Sequence, residues 1–192
     1  RQVLGYLDVL RDKHPVGDKV AIIGAGGIGF DVAEYLSHGA TSPATDIEQF
    51  MREWGVDMTL QARGGIEGVE AVLEPSPRQI TLLQRKASKV GGGLGKTTGW
   101  IHRIGLQKKG VQMIPGCQYD RIDDEGLYIT VGTERRVLPV DNVIICAGQD
   151  PRRELLEGLQ GCSVHLIGGA DVAAELDAKE AIDQGTRLAA AI

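Results

Sequence analysis

Two hydrophobic periods alternate along the chain. Short, continuous apolar runs occur at Lys19 to Ile23, Gln79 to Gln84, Val111 to Ile114, Asn142 to Cys146 and Val164 to Ile167. Runs of that length, without polar alternation, are what strands buried on both faces require. Helical spacing follows several of them. Phe30, Val32, Ala33, Tyr35 and Leu36 share one such pattern, Trp100 to Lys108 form a second helix stopped by Gly110, and the tail forms a last helix to about Ala190. Strands alternating with helices predict a parallel sheet. At the start, Val3, Leu4, Leu7 and Leu10 fall on one face of a short helix, opposite Asp8, Arg11 and Asp12, and Pro15, Gly17 and Asp18 break it. Residues 117 to 139 alternate as strands do, with turn signals at Asp124-Glu125-Gly126 and at Gly132, which predicts a small antiparallel meander. Residues 37 to 78 are rich in Gly, Ser, Thr and Pro and read as an insertion closed by Pro75 and Pro77. One short helix is expected inside it, because Thr45 and Glu48 have capping-box spacing.

Between the first buried run and its helix stand Gly24, Ala25, Gly26, Gly27, Ile28 and Gly29, a G-x-G-x-x-G pattern. The spacing alone is common; its place between a buried strand and a helix is what gives it meaning. Gly24 permits a tight turn, Gly26 lets backbone approach a pyrophosphate, and Gly29 lets helix and strand pack closely. The free N–H groups and positive end of the helix then face the anion. The plain alternative is a glycine-rich turn that binds nothing. The fold class is therefore α/β, a Rossmann-like three-layer dinucleotide-binding domain with a small antiparallel meander and a C-terminal strand–helix segment. The expected organisation is an N-terminal helix and linker over 1–17, the nucleotide domain over 18–150 with its insertion at about 37–78, and a separate C-terminal segment over 151–192.

Domains that prefer NAD place an acidic residue at the end of the second strand, on the ribose hydroxyls. Here that strand ends in Gln84, Arg85 and Lys86, and Lys89 follows. No carboxylate stands there to repel a 2′-phosphate. Arg85 supplies a planar fork suited to phosphate oxygens and Lys86 a point charge. NADP(H) is therefore expected over NAD(H), the alternative being a solvated basic loop. The assignment requires residues 37–78 to loop out without adding a strand. Gly95-Lys96-Thr97 resembles the end of a P-loop, but the position that must be the first glycine is Val90, so that motif fails. His102 on the following helix is a surface residue or a polar lining of the site.

Composition narrows the remaining classes. A formal charge of −5 removes the electrostatic case for nucleic acid or an anionic membrane. Cys117, Cys146 and Cys162 lie far apart, with no CxxC pair, so neither a metal cluster nor a redox disulfide is expected and the thiols read as idle in a reducing compartment. No segment is long and apolar enough to span a bilayer. A cytoplasmic location is expected. The chain opens at Arg1 in a helical pattern, without an initiating Met, which suggests that sequence upstream has been removed.

Two late features point to flavin. A hydrophobic strand running into Ala147-Gly148 and Pro151, and a strand ending in Gly169-Ala170-Asp171 before a helix, recur in flavoprotein reductases with two dinucleotide domains. Asp171 is equally well placed to be a plain helix N-cap. A lone strand and helix do not make a sheet, and only one G-x-G-x-x-G exists here, so the tail reads as the returning segment of a flavin domain whose first half lies upstream.

The runs VAIIGAGGIGFDVAEYL, SPRQITLLQRKASK, GLGKTTGWIHR, DNVIICAGQDP and VHLIGGADVAAELDAKEAI resemble the C-terminal part of bacterial NADPH-dependent 2,4-dienoyl-CoA reductases. GLGKTTGWIHR is the most specific of them. The resemblance implies a four-part enzyme with an FMN barrel, a four-cysteine 4Fe-4S cluster, a FAD domain and an NADPH domain. Electrons pass in that family from NADPH through FAD, the cluster and FMN to a dienoyl-CoA of unsaturated fatty-acid β-oxidation. By position it implies that Gly24 to Gly29, with Gln84, Arg85, Lys86, Lys89 and Gly148, serve NADP, and that Gly169, Ala170, Asp171 and Val172 touch FAD. FMN and the cluster would belong to missing parts of the same polypeptide, and no catalytic acid, base or nucleophile falls in this chain. The same pattern would suit a reductase of another enone, enal or amine, or a non-catalytic Rossmann module.

Overall fold

In the computed structural model, which describes residues 2–39, 42–174 and 177–192, five parallel strands form the central sheet. They are β1 (Val3–Gly5), β2 (Lys19–Ile23), β3 (Gln79–Leu83), β4 (Gln112–Ile114) and β8 (Asn142–Ile145), in the spatial order β1-β8-β2-β3-β4. A second, antiparallel sheet is the meander β5 (Cys117–Asp123), β6 (Gly126–Val131) and β7 (Glu134–Leu138). The helices are α1 (Tyr6–Leu10), α2 (Gly27–Ser37), α3 (Ile47–Trp54), α4 (Gly99–Lys108) and α5 (Ala178–Ala189). Backbone contacts divide the chain into two units, Arg1–Ala147 and Gly148–Ile192.

The first unit has three layers, and the continuous apolar runs explain why. Successive side chains of a strand point to opposite faces. Val20 and Ile22 of β2 pack with Leu82 and Ile144 against Phe30, Val32, Ala33 and Leu36 of α2 and Leu106 of α4. Their neighbours Ala21 and Ile23 pack with Leu83 and Val143 against Cys117, Leu127 and Ile129 of the meander. Helices cover one face of the sheet and the meander covers the other. Each fully buried Leu, Ile, Val or Phe contributes about 1.5–3 kcal/mol relative to exposure.

The insertion leaves the sheet order intact. β2 and β3 pair directly, from Lys19 opposite Gln79 to Ile23 opposite Leu83, and none of the described residues between them forms a strand. Its helix α3 starts one residue later than the capping-box spacing suggests. Asp46, not Thr45, is the N-cap, and its carboxylate accepts the Gln49 N–H at 3.0 Å. Both residue types can cap a helix; the Thr45 hydroxyl instead donates to the Ser42 carbonyl at 3.1 Å.

Two further expectations are corrected. The N-terminal segment is not a helix from Val3. Val3, Leu4 and Gly5 pair with Val143, Ile144 and Ile145 and extend the sheet, and the helix begins only at Tyr6. The buried face shifts accordingly: Leu4 and Val9 are each 1% exposed, whereas Leu7 is 44% exposed. Pairing with β8 overrides the local helical period. In the second unit, Val164 to Ile167 form no strand, and Gly168–Ala170 form a 3-10 turn. α5 begins at Ala178, capped by Asp177, whose carboxylate accepts the Glu180 N–H at 2.8 Å. Asp171 is therefore not the cap of that helix.

Candidate nucleotide-binding site

The glycine turn is built between three strands. Gly24 has φ +108°, a backbone conformation that side chains disfavour. Its N–H donates to the Leu83 carbonyl of β3 at 3.0 Å, and a Cβ on it would meet the Cys146 carbonyl oxygen, just past β8, at 2.7 Å. A Cβ on Gly29 would lie 1.8 Å from the Gly24 carbonyl oxygen, so α2 can cross the end of β2 only with hydrogen at this position. Gly26 and Gly27 face open space, with no atom within 4 Å of where a Cβ would lie. Two glycines of the motif thus serve packing, and Gly26 leaves room for an incoming group.

That room opens onto the start of α2. Gly26 is its N-cap, no side chain satisfies its first turn, and that turn holds no acidic residue. The first N–H groups of a helix lack intrahelical acceptors, and with the helix dipole they favour an anion. The cradle fits a pyrophosphate in shape and in charge. Ala25 and Ile28 pack their side chains on the helix-side core, which leaves their backbone to the cradle.

Gln84, Arg85 and Lys86 follow the tip of β3, next to the strand that carries the glycine turn. The Gln84 amide is committed to its own loop, donating to the Lys86 carbonyl at 2.9 Å and the Ser88 carbonyl at 2.8 Å. It braces the loop. The Gln84 and Lys86 carbonyls accept the N–H groups of Cys117 at 2.9 Å and Gly116 at 3.1 Å, which fixes Arg85 between them beside the start of β5. Arg85, Lys86 and Lys89 are all exposed.

The meander adds two residues that no motif announced, Tyr119 of β5 and Arg136 of β7. The Tyr119 hydroxyl and the Arg136 Nε are buried without a hydrogen-bond partner. Burial, opposed in part by the nearby Arg85 guanidinium, pushes the Tyr119 phenol up to about 12. Arg136 stands close enough to Cys117 to oppose the rise that burial imposes on that thiol. The register of three consecutive strands brings Tyr119 and Arg136 together, and no short motif carries that register.

His102 of α4 places its Nδ1 3.1 Å from the Glu34 carboxylate of α2, a partly exposed pair between two helices. Cys146 is buried enough that its thiol is pushed up to about 12. All three cysteines are unpaired, and the described residues hold no cluster of metal-ligating side chains.

In the second unit, Gly148 has φ +81° and open space around it. The Arg153 guanidinium donates to the Ala170 carbonyl at 2.8 Å and the Asp171 carbonyl at 2.6 Å, which pins the turn that carries Gly169 to Val172. Asp171 is exposed, and no helix starts there to meet a phosphate. No described helix is long and apolar enough to cross a membrane.

Comparison with known proteins agrees with this architecture. The family described as pyridine nucleotide-disulphide oxidoreductase matches residues 6–179. A curated relative, the metal reductase of Desulforamulus reducens, is 26% identical over 171 residues, covering 88% of this chain and 24% of that protein. The structure of a 2-naphthoyl-CoA reductase matches at TM-score 0.64 and 21% identity, over 95% of this chain and 22% of its own. Histamine dehydrogenase from Rhizobium sp. 4-9 matches at TM-score 0.61 and 16% identity, over 98% of this chain and 26% of its own. The chain thus spans about a quarter of the length of these proteins.

Proposed function

This chain belongs to the pyridine nucleotide-disulphide oxidoreductase family, and from that premise we propose that it is the NADP(H)-binding, electron-entry module of a larger flavin-dependent reductase. The observation that carries the reading is the cradle at Gly26, open in front and backed by the uncapped start of α2. Bound there, a reduced nicotinamide dinucleotide would supply a hydride to a flavin held elsewhere in the polypeptide. The chain's own part is to hold the pyrophosphate on backbone amides and to fix the cofactor's position. At the β3 tip, a guanidinium and two ammonium groups favour a 2′-phosphate over a bare ribose.

The finer reading is that the electrons reach an α,β-unsaturated acyl-CoA, a 2,4-dienoyl-CoA in particular. The motifs GLGKTTGWIHR and VHLIGGADVAAELDAKEAI support it, and so does a shared fold with a 2-naphthoyl-CoA reductase. The metal reductase relative favours a second reading in which a metal ion takes the electrons. In either case the flavin, FMN and 4Fe-4S centres and the substrate pocket would lie in other parts of the polypeptide, and Gly169 to Val172 would contribute Asp171 to the flavin sugar. α5 has no buried side chain and leaves Ile182 68% exposed, as expected of an element that packs on further chain.

Titration of the purified protein with NADPH and NADH tests the module. NADPH is expected to bind at least about tenfold tighter, since a charged hydrogen bond contributes about 1.5–3 kcal/mol. Arg85→Ala should lower NADPH affinity by a similar factor and leave NADH nearly unchanged. Equal affinity, or no binding of either, overturns the proposal. Assay of the intact protein with a 2,4-dienoyl-CoA and with ferric citrate separates the two acceptors.

A further inference from the structure

β5, β6 and β7 place Tyr119, Ile129 and Arg136 opposite one another in a single row of the meander. Directly opposed side chains of neighbouring strands share a face. Ile129 is fully buried against the central sheet, so Tyr119 and Arg136 lie on that inner face. Two backbone hydrogen bonds tie the start of β5 to the β3 tip on either side of Arg85: Cys117 to Gln84 and Gly116 to Lys86. Arg85 also follows Leu83 by two residues, and Leu83 packs on the meander side. The side chains of Arg85, Tyr119 and Arg136 therefore converge at one corner, where the meander meets the strand end.

That corner offers donors without acceptors. The Tyr119 hydroxyl and Arg136 Nε have lost water and gained no partner, a combination that folded proteins avoid unless a further group satisfies it. Three of the meander's five carboxylates are engaged elsewhere, and the other two, Asp124 and Glu134, are exposed. Asp120 accepts from Thr130 at 2.8 Å, and Asp123 pairs with Arg121 at 3.2 Å, whose guanidinium stacks on Tyr128. Glu125 is bonded by the Tyr128 hydroxyl. Two guanidinium forks and a phenol are a donor set for a compact, multiply charged oxyanion.

We infer that Tyr119 and Arg136 complete, with Arg85, a phosphate-monoester subsite, and that its ligand is the 2′-phosphate of the bound dinucleotide. The inference rests on the proposed NADP(H) reading and extends it. Cofactor choice would be set by two layers of the fold, the strand tip and the meander, rather than by the tip alone. Tyr119 donates its phenol hydrogen to a phosphate oxygen, and Arg136 supplies a second positive charge from the meander.

Calorimetric titration with adenosine 2′,5′-bisphosphate and 5′-AMP isolates the subsite, because the probes differ by one phosphate. Wild type should bind the bisphosphate at least about tenfold tighter. Tyr119→Phe and Arg136→Met should each lower bisphosphate affinity by about fivefold to fiftyfold and leave 5′-AMP unchanged. Arg136→Lys should retain part of the preference, as a point charge without a fork. Melting temperatures should stay level or rise in Tyr119→Phe, because removing an orphaned donor relieves the fold; a purely structural hydroxyl would lower them. If both meander variants keep full bisphosphate affinity while Arg85→Ala loses it, the inference fails and the NADP(H) reading stands. Wild type that does not distinguish the probes overturns both.

Discussion

Gly26 and Gly29 look alike in the motif, yet the structure gives them separable roles. A methyl at Gly26 enters empty space, so Gly26→Ala should leave stability within about 0.5 kcal/mol while lowering dinucleotide affinity. A methyl at Gly29 would lie 1.8 Å from the Gly24 oxygen and must push α2 off β2. Gly29→Ala should therefore destabilise the protein by about 1–3 kcal/mol or more, seen as a fall in the urea midpoint. The motif was legible in the sequence because the turn and the contact of Gly29 with the Gly24 oxygen lie within six residues. Arg85 was legible as a charge at a strand end, since the period of the run located that end. Tyr119 and Arg136 were not, because residues 17 apart in sequence meet only through the pairing of three strands.

At the scale of elements, the apolar runs of the central sheet, the short Val111 to Ile114 included, were read correctly, and the borderline patterns toward the two ends of the chain were not. β2, β3 and β8 are buried on both faces and leave little choice of conformation. β1 has three residues, and its local pattern suits a helix equally well; only the neighbouring β8 decides it. Val164 to Ile167 show the reverse case, a strand-like run with no strand to pair with among the described residues. Inside the insertion, Asp57 closes a turn that sequence pattern alone did not single out. Its carboxylate accepts from the Thr59 hydroxyl at 2.6 Å and from the N–H groups of Thr59, Gln61 and Ala62. The Thr59 hydroxyl, with those amides, holds its pKa far below the usual carboxylate range. A depressed carboxylate pKa stabilises the fold above the unfolded value, and that contribution is lost as pH falls through the folded value. Amide exchange of Thr59, Gln61 and Ala62 should therefore stay slow down to the usual carboxylate range and quicken only in stronger acid. Asp57→Asn should exchange fast throughout.

For the molecule as a whole, the three-layer α/β architecture followed from alternating periods and a meander pattern. The insertion was the main obstacle, because it puts an uncommon distance between the glycine turn and the strand tip that bears Arg85. The structure removes that obstacle by pairing β2 with β3 directly. Replacing residues 42–74 with a short Gly/Ser linker should accordingly keep NADPH affinity within about threefold, a shift under 1 kcal/mol. The melting temperature should still drop by a few degrees, since Gln49 and Glu53 of α3 are buried. A large loss of affinity would show that the insertion takes part in binding.

One contact reaches beyond the cleft. A Cβ on Gly24 would lie 2.7 Å from the Cys146 carbonyl oxygen, and two residues after Cys146 the second unit begins at Gly148. Any side chain at Gly24 would therefore have to displace the Cys146–Ala147 peptide, the last one inside the first unit.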